Sequence, residues 1–319
     1  MLILIRVSEP STRELRGDLV ENGMSQATVQ IPEKIVFKKQ SQTKEVWRRY
    51  KKNKGAVIGL VLFSFILILL AGANFIVPYS AATKGVFSQI NQPPSSEHLF
   101  GTDSYGRDVF ARVLYGGRTS LMVALLATAS SCLIGSTLGA IAGYFGGRVD
   151  GVIMRSLDIF MSIPDILFTM AVVFALGANF QNLLIALTLA YFTNYVRLVR
   201  SQVLNLAEQD YVEAAKAGGS GSTRIILSHI LPNAMGVIIV NTTLNVAKII
   251  LYESTLSFLG LGMPPPAPAW GLMLAEAREF MRAAPHLMFF PAVAIVVSAS
   301  SINLIGDGLR DALDPKLKS

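Results

Sequence analysis

Long apolar segments separated by short polar ones dominate the chain from residue 55 onward. A bilayer core of about 30 Å needs roughly 20 apolar residues in a helix, and six segments meet or approach that length. The pattern therefore predicts an all-α integral membrane protein with six transmembrane helices. The predicted spans are 55–78, 119–144, 157–177, 181–200, 234–257 and 287–307.

Proline residues predict breaks between these spans. The run Ser162-Ile163-Pro164-Asp165 predicts a kink or a helix boundary at the start of the third span. The proline-rich segment 264–268 predicts extended or turn conformations after the fifth span. Trp270 follows it, and its amphipathic ring suits a membrane interface. We interpret both breaks as architectural features and not as ligand sites.

The polar loop 205–233, between the fourth and fifth spans, has an unusual pattern for a simple connection. Helix-forming residues at 211–216 are followed by two glycines, and an amphipathic stretch at 224–230 comes next. We expect a short helix, a sharp turn with positive φ at Gly219, a second short helix and a break at Pro232. The pattern is EAA-x3-G-x9-[I/H]-x-L-P, formed by Glu213, Ala214, Ala215, Gly219, His229, Leu231 and Pro232.

Composition and charge support a membrane protein with both chain termini on the cytoplasmic side of the bilayer. Apolar residues make up 52% of the chain and charged residues only 15%, a balance that is rare in soluble domains. Twelve of the 28 Lys and Arg residues precede the first span, so the positive-inside rule predicts a cytoplasmic N-terminus. An even number of spans then places the C-terminus on the same side. Topology and the attraction of basic flanks to the lipid bilayer thus explain the net charge of +7 without nucleic-acid binding.

Two regions of different character divide the chain. Residues 1–46 mix charged and small polar residues without a sustained period and predict a poorly ordered cytoplasmic tail, in which Met24 is a second candidate start. Residues 47–319 form the predicted transmembrane domain. The apolar run at 1–7 is too short for a signal peptide. Cys132 is the single cysteine, so no disulfide forms within the chain.

The sequence lacks the motifs of several common catalytic and metal-binding sites. The chain has no G-x4-GK-[ST] loop for nucleotide phosphates and no G-x-S-x-G motif, so we expect no catalytic site. Its histidines, His98, His229 and His286, lie on different loops without clustered ligands, and we expect no metal site. A secondary transporter or channel and a membrane-embedded enzyme are the alternatives from other classes. Paired intramembrane carboxylates or an internal inverted repeat would favour the first of them.

The fifth predicted span carries a stripe of polar residues. Asn241, Asn245, Lys248 and Tyr252 are spaced by four, three and four residues, which places them on one helical face. A lysine at mid-span costs about 3 kcal/mol on insertion scales, so Lys248 should face water, a partner or the bundle interior. Two interpretations remain open: the stripe lines a translocation pathway, or it bonds to a partner helix.

A second polar motif lies between the first two spans, in the sequence His98 to Asp108. It has the form H-x2-GTD-x2-GRD and includes Gly101, Thr102, Asp103, Gly106, Arg107 and Asp108. Thr102 and Asp103 are suited to capping a helix in which Asp103 and Arg107 form an i,i+4 pair. A purely structural role and a role in receiving a binding protein both fit these residues.

These motifs together resemble a known family of transporters. The 213–232 pattern resembles the cytoplasmic coupling loop of ABC importer permeases, on which separate ATPase subunits act. The 98–108 motif, the segment 253–271 and the C-terminal segment 303–315 resemble the dipeptide, oligopeptide and nickel permease family, specifically its DppC/OppC-type half. The resemblance covers nearly everything from about residue 45. Glycine at 218 and the pair Ser220-Gly221 depart from the family pattern and should loosen the turn.

The resemblance implies a fold, partners and a cargo. The fold would be the MetI-like, type I importer fold, in a multi-pass protein of a bacterial or archaeal cell (inner) membrane. Partners would be a different permease of the DppB/OppB type, two cytoplasmic ATPase subunits that bind ATP and Mg, and an extracytoplasmic solute-binding protein. Di- or oligopeptides would be the cargo, with nickel chelates or glycans as alternatives. This chain itself would bind no cofactor.

Overall fold

The computed structural model describes residues 42–313, so nearly all of the predicted 1–46 tail lies outside the described residues. Residues 42–46 belong to the first helix. All regular structure in the described range is helical, apart from one isolated bridge between Thr102 and Asp108. The main helices are α1 Gln42–Lys52, α2 Lys54–Ile76, α3 Tyr79–Thr83, α4 Val109–Phe145, α5 Gly147–Met161, α6 Asp165–Leu176, α7 Phe180–Ala207, α8 Asp210–Ala217, α9 Ser222–Phe258, α10 Trp270–Ala277 and α11 His286–Leu313.

Five of the described helices are long and apolar enough to cross a membrane: α2, α4, α7, α9 and α11. The pair α5 and α6 passes the same criterion together, and counts as a sixth span if it is treated as one broken helix. The two are bent by 83°. Pro164 precedes the first residue of α6, and because proline lacks a backbone N–H it begins a helix more readily than it continues one. The predicted helix boundary at this proline is confirmed.

A row of glycines brings α4 and α7 into close contact. Gly135, Gly139 and Gly143 recur every four residues and therefore lie on one face of α4. A Cβ atom on Gly139 would come within 2.6 Å of the Val196 carbonyl oxygen, and one on Gly143 within 2.9 Å of the Arg200 carbonyl oxygen. Small residues of this kind allow membrane helices to pack backbone against backbone. Since successive glycines meet successive turns of α7, the two helices run in the same direction.

Helix directions define two ends of the bundle. Arg118, near the start of α4, donates to the Ala71 carbonyl near the end of α2 at 2.8 Å. Asn53, just before α2, donates to Asp311 near the end of α11 at 2.9 Å. We call the end of the bundle that carries the 205–233 loop the coupling end. It contains α8, the first residues of α2 and the last residues of α4, α7 and α11. The far end contains the segment 77–108 and α10.

Close packing holds α10 against its neighbours at the far end. A Cβ on Gly271 would come within 2.2 Å of the Ser254 carbonyl oxygen, so α10 and α9 approach almost to backbone contact. Trp270 is 1% exposed, and its Nε1 donates to the Val113 carbonyl of α4 at 2.9 Å. The prediction that Trp270 lies at a membrane interface is therefore wrong. Contact through Gly271 draws the indole into the bundle, where a backbone carbonyl satisfies its N–H.

Candidate coupling loop and far-end cluster

The predicted coupling loop forms a helix, a tight turn and a second helix. α8 ends at Ala217, and Gly219 has φ of 76°, the positive value that the glycine pair predicted. The Gly219 N–H donates to the Lys216 carbonyl at 3.0 Å, and the Ser220 N–H donates to the Ala215 carbonyl at 3.0 Å. These two bonds form a Schellman motif, which ends a helix with one left-handed residue. The turn thus has a defined geometry despite its glycine content.

Apolar contacts fix α8 to the ends of the membrane helices. Val212 is fully buried in a cluster that includes Val203 of α7 and Ile225 and Ile230 of α9. The Lys216 ammonium lies 5.7 Å from the centre of the Tyr144 ring at the end of α4. A force applied to α8 would therefore reach α7 and α9 through packed side chains.

The motif residues of α8 separate into an exposed and an inward side. Glu213 and Ala214 are exposed, whereas Ala215 is half-buried beside the Val212 cluster. Gly219 is exposed, with open space around the position a Cβ would occupy. The exposed side of α8 thus carries two carboxylates, Asp210 and Glu213, beside Ala214. It is a small acidic surface, suited to contact with another protein.

Pro232 does not break the chain, contrary to prediction. α9 continues from Ser222 to Phe258 because a π-helical turn, Ile226–Ile230, precedes the proline. The Leu231 N–H bonds to the Ile226 carbonyl, five residues back, which widens the helix by one residue. Pro232 then falls in the first turn of the α-helical part, where a missing N–H is tolerated.

The last part of the motif lies within this widened turn. His229 and Leu231 are half-buried, whereas Pro232 is exposed. Asn233 donates through Nδ2 to the His229 carbonyl at 2.6 Å, so a side chain satisfies a carbonyl close to the π turn. The His229-to-Pro232 segment thus shapes the start of α9 beside the α8 cluster.

Four charged side chains meet at the far end. Arg107 donates from Nε to the Asp103 carboxylate at 2.7 Å and from Nη2 to Glu276 at 2.8 Å. Arg112, which is 1% exposed, pairs through Nη1 with Asp103 and also with Glu276 at 2.6 Å. The far-end cluster therefore balances two positive with two negative charges. It joins the 77–108 segment, the start of α4 and α10.

The capping role predicted for Thr102 and Asp103 is wrong. Asp108 caps α4, with its Oδ1 accepting from the Ala111 N–H at 2.7 Å. Asp103 lies in a turn, where its Oδ1 accepts the N–H groups of Tyr105 at 2.8 Å and Arg107 at 2.9 Å. The predicted Asp103–Arg107 pair does form, but across this turn and not along a helix. Asp103 lies five residues before Asp108, the residue at the N-cap position of α4.

The other residues of the 98–108 motif support the same turn. Gly101 and Gly106 have φ of 77° and 72°. A Cβ on Gly106 would approach the Val86 carbonyl oxygen to 2.1 Å, so the chain passes too closely for any other residue. The Thr102 hydroxyl accepts from the Gln92 N–H at 2.9 Å. His98, the first residue of the motif, places Nδ1 2.8 Å from Asp108.

The sequence patterns did not identify Arg112 or Glu276 as members of this cluster. Arg112 and Glu276 lie 164 positions apart, and no periodic pattern connects positions so distant. Charge balance was the one indication of a fourth member, because two buried arginines and one aspartate need a second acidic side chain to neutralise them. Several acidic residues could have supplied it.

The polar stripe of α9 is divided between the interior and the surface. Asn245 is 3% exposed, whereas Lys248 is exposed and forms no ion pair within residues 42–313. Tyr252 is half-buried and meets the Tyr191 ring edge-on at 5.4 Å between centroids. Asn241 is also half-buried. The exposed ammonium of Lys248 therefore faces whatever surrounds this chain in the membrane.

No group of three or more His, Cys, Asp or Glu side chains within residues 42–313 is arranged to hold a metal ion. Among the described residues, the charged site with the most partners is the far-end cluster, and its carboxylates are paired with arginines.

Comparison with known proteins gives matches along most of the chain. The family model described as "Binding-protein-dependent transport system inner membrane component" matches residues 135–319. A second model, "N-terminal TM domain of oligopeptide transport permease C", matches residues 41–94.

Curated relatives agree with these models. The chain is 43% identical over 279 residues to the dipeptide transport system permease protein DppC of Alkalihalophilus pseudofirmus, covering 88% of this chain and 91% of the relative. It is 42% identical to the glutathione transport system permease protein GsiD of Pectobacterium atrosepticum, covering 86% and 92%. It is 39% identical to the oligopeptide transport system permease protein OppC of Bacillus subtilis, covering 90% and 93%.

Among solved structures, an inward-facing conformation of the MetNI methionine ABC transporter contains a chain with a similar fold. The TM-score is 0.51 at 20% sequence identity, with 64% of this chain and 96% of that chain covered. The predicted type I, MetI-like fold class is confirmed.

Proposed function

Because the chain belongs to the family of binding-protein-dependent transport system inner membrane components, we propose that it is one of two different permease subunits of an ABC importer for di- or oligopeptides. Curated relatives named for dipeptide and oligopeptide transport support this cargo. A relative named for glutathione transport shows that cargo varies within the family. Nickel chelates and glycans remain alternative cargoes.

The observation that carries the proposal is the geometry of the coupling loop. α8 presents Glu213 and Ala214 to solvent, while Val212 fixes the same helix to the ends of α7 and α9. A short helix that is exposed on one side and packed on the other is suited to receive a push from another subunit. We assign this contact to two cytoplasmic ATPase subunits, which would bind ATP and Mg. The N- and C-termini would then also be cytoplasmic, in a bacterial or archaeal inner membrane.

Packing within the bundle suggests how a movement of α8 would spread. α7 is joined to α4 through the glycine row and to α5 through ion pairs, with Arg200 donating to Asp150 at 2.6 Å and Arg197 to Asp158 at 3.0 Å. These helices would therefore shift as one body when the ATPase subunits close. Closely packed elements move between discrete arrangements and do not deform continuously, so the shift would alternate access between the two ends.

At the far end, the charged cluster would support the surface that receives an extracytoplasmic solute-binding protein. A cleft of about 360 Å³ beside the cluster is lined by Ser104, Tyr105, Glu276 and Glu279, among others. Arg107 stacks over the Tyr105 ring, 4.4 Å from its centroid, so the exposed tyrosine is held in place from below. Buried ion pairs fix the backbone that presents these groups.

Uptake by the reconstituted complex tests the proposal. The chain is produced with its neighbouring permease and ATPase subunits, purified as one complex and placed in liposomes with the binding protein outside. We expect accumulation of a labelled dipeptide or oligopeptide that requires both ATP with Mg and the binding protein. Uptake driven by an ion gradient without ATP would contradict the proposal and favour a secondary transporter.

A further inference from the structure

The first helix has the character of a membrane-surface helix. α1 and the residue that starts α2 carry six basic side chains, at Lys44, Arg48, Arg49, Lys51, Lys52 and Lys54, against one acid, Glu45, which pairs with Arg49. Helical geometry places Lys44, Arg48 and Lys51 along one side, because they are separated by four and three residues. All three side chains are exposed. A helix of this composition, with an aromatic residue beside its basic face, favours the interface of a lipid bilayer.

Trp47 lies at the border between the basic and apolar faces of α1. Its side chain remains 50% exposed and stacks on Tyr50 at 5.7 Å between ring centroids. The Lys51 ammonium lies 5.0 Å from the centre of the Trp47 ring. Tryptophan beside lysine is the arrangement expected where a side chain meets lipid headgroups.

An open apolar groove begins directly below this border. It has a volume of about 440 Å³ and is lined mainly by Val46, Trp47, Tyr50, Leu60, Ile305 and Leu309. Leu60 lies six residues into α2, roughly 9 Å along the helix axis at 1.5 Å per residue. The groove therefore extends from Trp47, at the edge of the basic face of α1, along the first turns of α2.

Polar contacts hold α1 in position above the groove. The Tyr50 hydroxyl donates to the Ala56 carbonyl at 3.1 Å, across the junction between α1 and α2. Asn53 caps α2 by accepting the Ala56 N–H at 3.1 Å and also donates to Asp311 of α11. The groove is therefore part of the folded bundle and does not depend on a loosely attached helix.

We propose that α1 and this groove bind one anionic phospholipid, with its phosphate between Lys44, Arg48 and Lys51 and one acyl chain in the groove. The basic side of α1 favours an anionic headgroup, and the apolar lining of the groove favours a hydrocarbon chain. Trp47 connects the two, because it lines the groove and its ring lies beside the Lys51 ammonium. An anionic phospholipid joins these two chemistries in one molecule. This site goes beyond the proposed transport function and does not depend on it.

Photolabelling in lipid nanodiscs tests this site in the full chain assembled with its partner subunits. The probe is phosphatidylglycerol with a diazirine on one acyl chain, diluted into phosphatidylcholine, and labelled peptides are identified by mass spectrometry. We expect labelling of the 301–313 and 57–62 regions. The triple variant Lys44→Gln, Arg48→Gln, Lys51→Gln should reduce this labelling at least about tenfold, because each basic residue contributes to attraction of an anionic lipid.

Matched variants distinguish the contribution of the basic residues to labelling from that of the open groove. Arg148→Gln, Arg155→Gln, Arg282→Gln removes three exposed charges elsewhere on the chain and should leave labelling unchanged. Leu309→Trp keeps every charge but fills the groove, and should also abolish labelling of the groove peptides. Glutamine is a good helix former, so the basic-face variant should keep α1 intact.

Four results would overturn the site. They are equal labelling by a diazirine phosphatidylcholine, unchanged labelling in the triple variant, labelling that appears only after residues 1–41 are deleted, and labelling seen only when the partner subunits are absent. The third result would show that the preceding segment fills the groove, and the fourth that a partner chain does so.

Discussion

Individual side chains at the two ends of the bundle are held in different ways, and this difference decides how each will respond to substitution. At the far end, Arg112 is buried between Asp103 and Glu276, so removal of any member leaves an uncompensated charge. At the coupling end, Glu213 and Gly219 are exposed and have few neighbours. Substitution of Glu213 therefore tests function with little loss of stability.

Reversal of the charge at Glu213 should uncouple ATP hydrolysis from transport. Glu213 lies in the first turn of α8, where its favourable interaction with the helix dipole is about 0.3–1 kcal/mol. Glu213→Lys should therefore leave the bundle folded but disturb the ATPase contact. We expect transport-coupled ATP hydrolysis by the reconstituted complex to fall at least about tenfold, equivalent to roughly 1.4 kcal/mol.

Glu97→Lys provides the matched control, since Glu97 is exposed in the 77–108 segment at the far end. It should retain coupled hydrolysis. Full transport by Glu213→Lys would remove the coupling assignment from α8.

Gly219 allows a test in which only backbone conformation changes. A side chain at 219 would meet no neighbouring atom, but the φ of 76° is strongly disfavoured for β-branched residues. Gly219→Val should cost about 1–3 kcal/mol in the turn and reduce both ATPase-subunit binding and transport. Gly219→Asn should be milder, because asparagine tolerates left-handed backbone. Co-purification of the ATPase subunits measures the effect.

Gly221 is the control position for this experiment. It also has open space around it, but its φ of −69° is ordinary. Gly221→Val should therefore retain ATPase binding. Equal loss in both variants would show that bulk at the turn matters and backbone conformation does not.

At the scale of elements, the contact between α4 and α7 leaves the least space for larger side chains. The glycine row leaves no space for a methyl group at Gly139, because the nearest atom is a backbone oxygen that cannot rotate away. The π turn in α9 is the opposite case, since local widening of the helix accommodates Pro232. The two elements show where this fold tolerates variation and where it does not.

A single methyl group at Gly139 should destabilise the protein. Overpacking typically costs about 1–3 kcal/mol, which exceeds the gain of about 1 kcal/mol when alanine replaces glycine in a helix. Gly139→Ala should lower the melting temperature of the purified complex in detergent. Gly236→Ala, in α9 with open space around it, should leave that temperature unchanged or raise it. A Gly139→Ala protein that melts at or above the wild-type temperature would contradict the close packing.

At the scale of the whole molecule, the exposed Lys248 raises the question of what covers this face of α9 in the membrane. An ammonium facing lipid at mid-span costs about 3 kcal/mol, so a partner chain or water should cover it. Asn245, one turn earlier, is already buried within the chain. The two positions can therefore distinguish a translocation pathway from a packing contact.

Cysteine accessibility makes this distinction in a background where Cys132 is replaced by serine. If the surface at Lys248 lines the pathway, Lys248→Cys in the assembled complex should react with water-soluble thiol reagents, at a rate that changes when ATP is added. Asn245→Cys should stay protected as an internal control, because position 245 is 3% exposed. Protection of position 248 in both nucleotide states would favour a packing contact with the second permease.

The sequence by itself determined those features that depend on a few neighbouring residues. The length of the apolar segments determined the membrane class and the all-α architecture, because the bilayer sets one required helix length. Gly218 and Gly219 determined the end of α8 and its left-handed residue, and Pro164 determined the boundary before α6. Each depends on properties of a few consecutive residues. The long motifs also carried the family resemblance.

Tertiary structure decided which distant groups meet. Asp103 became part of an ion-pair cluster and not a helix cap, because Arg112 pairs with it and with Glu276 when α10 packs beside α4. Trp270 became buried because Gly271 lets α10 approach the α9 backbone. Glycines of α4 became a packing surface only because α7 runs alongside them. Such outcomes depend on which helices become neighbours, and the free energy of those long-range contacts cannot be deduced from local pattern.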